Sequence, residues 1–107
     1  MTRQQSAGQL DLLLLSVVAG APRHGYAVIE ALRDRSEGAF ELAEGTVYPA
    51  LRRLEDTGLV ASRWTEVDGR RRRVYRLTGA GTAALAARRE EWTALVRGVD
   101  AVLAWAP

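Results

Sequence analysis

Residues 59–78, LVASRWTEVDGRRRRVYRLT, put four consecutive arginines directly after an Asp-Gly pair and ahead of a stretch that alternates apolar and polar residues. A run of like charges is usually a solvated, floppy linker. Here the flanks predict order instead. Asp68-Gly69 is a strong hairpin signal because both residues tolerate positive φ, and β-branched and aromatic residues stand on either side. Along the second strand Arg71, Arg73, Tyr75 and Leu77 share one face and Arg72, Val74 and Arg76 the other. Tyr75 and Leu77 should therefore anchor the strand on a core, leaving the arginines near the turn in solvent.

Working outward from this hairpin, the preceding segment EGTVYPALRRLEDTGLV predicts a helix, with Thr46 as N-cap, Pro49 in the first turn and Gly58 as the stop. Val47, Leu51 and Leu54 recur at i, i+4, i+7 and face inward, which turns Tyr48, Pro49, Arg52 and Arg53 outward. Two readings of that outer face stay open: a solvated helix surface, or groups presented to phosphates and base edges.

Two helices are expected upstream. GQLDLLLLSVVAG carries apolar residues at 10, 13, 14, 17 and 18, with Leu12 and Leu15 outside that stripe and Gly20 at its end. A helix apolar nearly all round needs cover on two sides. After an APRHG turn, YAVIEALRDRSEG reads as a shorter amphipathic helix with Tyr26, Ile29, Leu32 and Arg33 on one side, closed by Gly38.

Downstream, a long helix starts at the capping Thr78 and runs to about Ala104. Leu85, Trp92 and Val99 are spaced by seven, as are Leu95 and Val102, and Val96 and Leu103. Such a stripe packs on its own domain or forms a dimer seam. A helix of this length overhangs the preceding domain, so the dimer is the favoured reading, with all seven residues in the seam.

Three helices followed by an arginine-tipped hairpin and a long helix define the expected fold class: mainly α (α+β), a winged helix-turn-helix over residues 1–77 with a C-terminal dimerisation helix over 78–107.

Composition agrees with a nucleic-acid partner. The chain has 107 residues, a net charge of +2 and a pI near 9.7, and its 15 basic residues are all arginine. From Val60 to Arg76 six arginines face two acids, a local excess of +4. A localised basic patch points first to nucleic acid and second to an anionic membrane. The absence of cysteine excludes disulfides, thiolate metal sites and thiol nucleophiles and suits a reducing cytoplasm. No apolar run is long enough to span a bilayer, and the MTRQQS start does not read as a signal peptide, so a cytoplasmic protein with no membrane partner is expected. No enzyme is expected either: Glu55-Asp56 and Glu90-Glu91 are adjacent pairs whose side chains diverge on a helix, and no nucleophile triad or phosphate loop is present.

Three motifs resemble the PadR family of bacterial transcriptional regulators: HGYAVIEAL, GTVYPALRRLEDTGLV and RRVYRLTGAG. The second, a Tyr-Pro pair followed by Leu, Arg-Leu-Glu and Gly-Leu, is the most specific. The resemblance implies that Thr46, Tyr48, Pro49, Arg52 and Arg53, with wing residues Arg70, Arg71, Arg72 and Arg73, meet a palindromic double-stranded DNA operator. It implies a homodimer, and the single C-terminal helix resembles the short subfamily of effector-responsive repressors. By that resemblance a small hydrophobic effector stacks on Trp92, with Leu13, Leu14, Val17, Val96 and Val99 lining the pocket; the alternative is a Trp92 that only fills the dimer core. No cofactor is required. His24, the sole histidine, could join Glu30 in a divalent-metal site, though turn packing or capping is the simpler role. The rival readings are a winged-helix adaptor that does not read DNA, and a metal-responsive regulator.

Overall fold

The computed structural model describes residues 3–105, with side chains from residue 8 onward; the outermost residues of both expected domains lie outside that range. The elements in chain order are α1 (Arg3–Gly20), β1 (Arg23–His24), α2 (Gly25–Arg35), α3 (Glu44–Asp56), β2 (Val60–Val67), β3 (Arg70–Leu77) and α4 (Gly79–Ala104). The fold is the expected α+β winged helix-turn-helix, with a three-stranded antiparallel sheet ordered β1-β3-β2.

α1 threads the middle of the domain and touches α2, α3, β3 and α4. Surrounded in this way, it buries Leu14, Leu15, Val17 and Val18, while Leu10, Leu12 and Leu13 are partly covered. The expected stripe is thus rotated: Leu15 belongs to the core and Leu10 and Leu13 sit at its margin. In α2 the inward residues are Val28 and Leu32, and Tyr26, expected on the apolar side, is turned outward.

In α3 the inward face is as expected: Val47, Leu51 and Leu54 are buried, joined by Ala50. Its start is not. The helix begins at Glu44, two residues before Thr46, with Ala43 at the N-cap and no side-chain capping bond. Thr46 therefore lies inside the first turn and Pro49 in the second, where its missing N–H leaves the Gly45 carbonyl without a helical donor.

The hairpin has the register that a two-residue turn dictates, with Val60 opposite Leu77, Ser62 opposite Tyr75 and Trp64 opposite Arg73. Asp68 and Gly69 have φ of 52° and 77°, the paired left-handed conformation of a type I′ turn. Tyr75 is in the core and Leu77 packs against it, as the alternation required. β1 is an addition to the expected fold. Arg23 and His24, read as part of a turn, pair with Tyr75 and Val74.

α4 is capped by Thr78, whose hydroxyl accepts the Gly81 N–H at 3.0 Å and donates toward the Gly58 and Leu59 carbonyls. Its first two turns are built into the domain: Gly81 and Leu85 are buried. Leu85, expected in the dimer seam, is thus part of this chain's own core. Beyond Arg88 every described apolar residue except the half-buried Val96 is exposed, and the molecule extends to 58 Å along its long axis against 28 and 23 Å across.

Candidate nucleic-acid interface

Two elements present the arginines. α3 displays Tyr48, Pro49, Arg52 and Arg53, with Asp56, along one shallow depression of its outer face. The wing displays Arg70, Arg71 and Arg73, which are exposed, and Arg72, which is half covered. Between wing and helix lies a cleft of about 310 Å³. Arg52, Arg71, Arg72 and Arg73 line it together with the rings of Tyr26, Tyr48, Trp64 and Tyr75, and His24 and Gly25 complete the lining. The structure thus brings Tyr48 and Arg52 of α3 to the same concavity as three of the four wing arginines. Thr46, Pro49, Arg53 and Arg70 lie outside that lining.

Tyr48 is held by close approach. Its ring lies on the backbone at Gly25, where a Cβ would come within 2.5 Å of the ring, so any side chain at position 25 would displace it. Burial pushes the Tyr48 hydroxyl above the usual phenol range, reinforced by Glu44 and opposed by Arg72. Tyr75 is raised for the same first reason, with Arg73 opposing. Both remain neutral donors near pH 7.

The wing is tied to α3 by a polar clamp absent from the sequence-based expectations. The Ser62 hydroxyl donates to Glu55 Oε2, and Arg73 donates to Ser62 Oγ at 2.7 Å and to Glu55 Oε1 at 3.5 Å. The Ser62 hydrogen bond holds the Glu55 carboxyl below its ordinary value, with partial burial opposing and Arg73 adding to the shift. Arg73 and Arg71 also stand over the Trp64 ring, at 5.6 and 5.3 Å from its centroid. Trp64, 56% exposed, was recoverable from the sequence, because a two-residue turn at 68–69 sets it opposite Arg73. Glu55 and Ser62 come from different elements and carry no such signal.

Arg53 is only partly available. It donates to Asp11 of α1 at 2.6 Å, and Arg88 of α4 approaches the same carboxylate at 3.8 Å. Asp11 is the buried acid of the described core, and it ties α3, α1 and α4 together.

Within one chain the residues expected to line an effector pocket are divided between core and surface. Leu14 and Val17 are buried in the domain core. Leu13 and Val17 instead border a hollow with Leu32, Arg35 and Phe40, between α1 and α2. On α4, Arg88 meets Asp11 and lies beside Gly8 of α1, and Trp92, about one turn further on, is exposed. Val96 and Val99 lie further along α4 still.

His24 caps α2, its Nδ1 accepting the Ala27 N–H at 3.3 Å. No group of three or more metal-ligating side chains exists among the described residues, and no described helix is long and apolar enough to cross a membrane.

A winged helix-turn-helix with a basic helix face and a basic wing is the architecture of a DNA-binding transcription regulator. The chain belongs to the transcriptional regulator PadR-like family, whose sequence pattern matches residues 14–87. It is 39% identical over 97 residues to the transcriptional regulator Rv3488 of Mycobacterium tuberculosis, covering 91% of this chain and 88% of that protein. Among solved structures it is similar to a PadR family transcriptional regulator from Eggerthella lenta, at 33% identity and a TM-score of 0.82 over 96% of this chain and 88% of that one. A PadR family transcription regulator from Clostridium difficile gives 31% identity and a TM-score of 0.79, covering 88% and 97% of the two chains.

Proposed function

We propose that this regulator is a cytoplasmic homodimeric repressor that binds a palindromic operator and is released by a small hydrophobic effector. One observation carries the dimer: the distal half of α4 exposes Trp92, Leu95, Val99, Val102 and Leu103, an apolar face that the described residues leave open. Pairing that face about a two-fold axis would set two copies of α3 for successive major grooves about one helical turn apart. Arg52 and the exposed side of Arg53 would then meet base edges and phosphates, and Arg70 to Arg73 the flanking backbone.

The α4 seam is also the place for an effector. Trp92, 44% exposed in one chain, offers a ring to a flat apolar molecule between protomers, with Val96 and Val99 beside it. Leu13, half covered on α1, can join from the partner; the buried Leu14 and Val17 would support such a pocket from beneath. Trp92→Ala is expected to remove binding of flat hydrophobic compounds, and an unchanged affinity with an intact dimer would sink this part of the proposal.

The test of the whole reading is fluorescence anisotropy on the DNA upstream of the chain's own gene and on a scrambled duplex, each at two salt concentrations. Binding at least about a thousandfold tighter to the first is the expected outcome. Equal, strongly salt-dependent binding would reduce the wing to a non-specific clamp, and no binding would favour an adaptor.

A further inference from the structure

The cleft between the wing, α3 and the start of α2 combines guanidinium groups with open tyrosine rings. A duplex offers phosphates to the arginines and to a tyrosine hydroxyl but keeps its base faces stacked, so no base face reaches the rings. A free nucleotide has both an open base face and phosphates. The cleft has the volume of a small-molecule site, about 310 Å³. Four guanidinium groups line it, and although Arg73 is paired with Glu55 the other three leave an excess of positive charge that favours a ligand carrying several negative charges over a monoanion. One ring of its platform is fixed in advance, since Tyr48 rests against Gly25.

We propose that this cleft binds a nucleoside polyphosphate, its base against Tyr26 and Tyr48 and its phosphates on Arg52, Arg72 and Arg73. The neutral Tyr48 hydroxyl adds a hydrogen-bond donor beside the guanidinium groups. Arg52 and the wing arginines are also the groups assigned above to DNA, so nucleotide and operator exclude one another. This exclusion rests on the proposed DNA reading; the binding itself does not.

Calorimetry on the intact protein, at fixed ionic strength and without divalent metal, separates the two parts of the ligand. ATP and GTP are compared with adenosine and with inorganic tripolyphosphate. The expected result is that at least one nucleotide binds about tenfold or more tighter than tripolyphosphate, the gain a stacked base supplies, and that adenosine binds weakest. Tyr26→Ala, a change at an exposed side chain, should erase that advantage and leave tripolyphosphate unaffected, while Arg72→Gln should weaken both. Equal binding of nucleotides and tripolyphosphate, no binding, or a nucleotide advantage that survives Tyr26→Ala would each overturn the proposal. Competition against labelled promoter DNA then reads the exclusion: displacement by nucleotide, lost in Tyr26→Ala, supports it, and a ternary complex refutes it. If no promoter DNA binds in any condition, the DNA reading fails while the calorimetric result still decides the nucleotide site.

Discussion

α3 and the distal half of α4 are both helices with apolar faces, yet they stand in opposite situations. α3 seats Val47, Ala50, Leu51 and Leu54 in the core and spends its other face on polar and basic groups. α4 beyond Arg88 has its apolar residues in the open, up to Val102 at 73% exposure. Helical propensity alone stabilises an isolated stretch of this length only marginally. The first helix is completed by its own chain, whereas the second, on the reading proposed above, takes its cover from a second copy. Mutations should therefore act on the two through different observables, folding in one case and association in the other.

The largest effect is expected at Leu51, fully buried in α3. Leu51→Ala should cost about 2–5 kcal/mol, from lost transfer energy and the cavity left behind. Urea titration followed by circular dichroism measures it. Next comes the double change Leu95→Glu with Val99→Glu, on the exposed stretch of α4. Within one chain these positions make few contacts, so the intrinsic stability of the winged domain should move by less than about 0.5 kcal/mol. Sedimentation equilibrium should nevertheless show a monomer. The melting midpoint should stop rising with protein concentration, as linkage to a lost dimer requires. Operator affinity should fall about a hundredfold or more, because each half-site is then bound alone. A concentration-independent drop in wild-type-like melting would break the contrast by showing that α4 folds back on its own domain.

The wing supplies an effect read chiefly on DNA. Replacing Arg70 to Arg73 by Gln should leave the far-ultraviolet spectrum unchanged, since the strand is anchored by Tyr75 and Leu77. The slope of log affinity against log salt should become shallower by about 0.9 for each phosphate contact removed, on operator and random DNA alike. Arg52→Ala should instead narrow the difference between the two DNAs. An equal loss on both would remove its base-reading role.

How much of this was legible in the sequence depended on whether a single element contained the information. The wing was readable to the residue, because Asp68-Gly69 fixes the turn and the turn fixes the register. The inward face of α3 was equally plain from its period. By contrast, four successive leucines from Leu12 to Leu15 give a helix no phase, so the buried side of α1 was assigned one step off. The start of α3 misled because Thr46 is a good capping residue, yet the chain caps the helix at Ala43 without a side-chain bond. β1 is too short to alternate. The cleft was not legible at all, since its rings and guanidinium groups come from α2, α3, β2 and β3 and meet only after folding. The Arg53–Asp11 bridge, which withdraws part of an expected DNA contact, joins residues 42 positions apart.

The smallest predicted effect concerns the clamp that sets the wing against α3. Glu55 is held ionised chiefly by the Ser62 hydroxyl, with Arg73 assisting, so its folded pKa lies below the ordinary 4.5. A carboxylate shifted downward on folding binds fewer protons in the native state than in the unfolded one. Its contribution is therefore complete above the ordinary value and is lost as pH falls through the lowered folded value. Both Glu55 and Arg73 retain solvent contact, at 25% and 44% side-chain exposure, so the contribution should stay below about 1 kcal/mol. Glu55→Gln keeps the shape and removes the charge. It should lower stability slightly at pH 7 and bring the two proteins' stabilities together in acid, below the folded pKa of Glu55. Operator affinity should separate a clamp from an ordinary surface pair. If Glu55 fixes the wing, losing a negative charge near DNA will fail to raise affinity at low salt, because the gain in attraction is offset by a looser wing. A variant that binds DNA more tightly, with the wild-type preference for operator over random duplex intact, would show that Glu55 acts through charge alone.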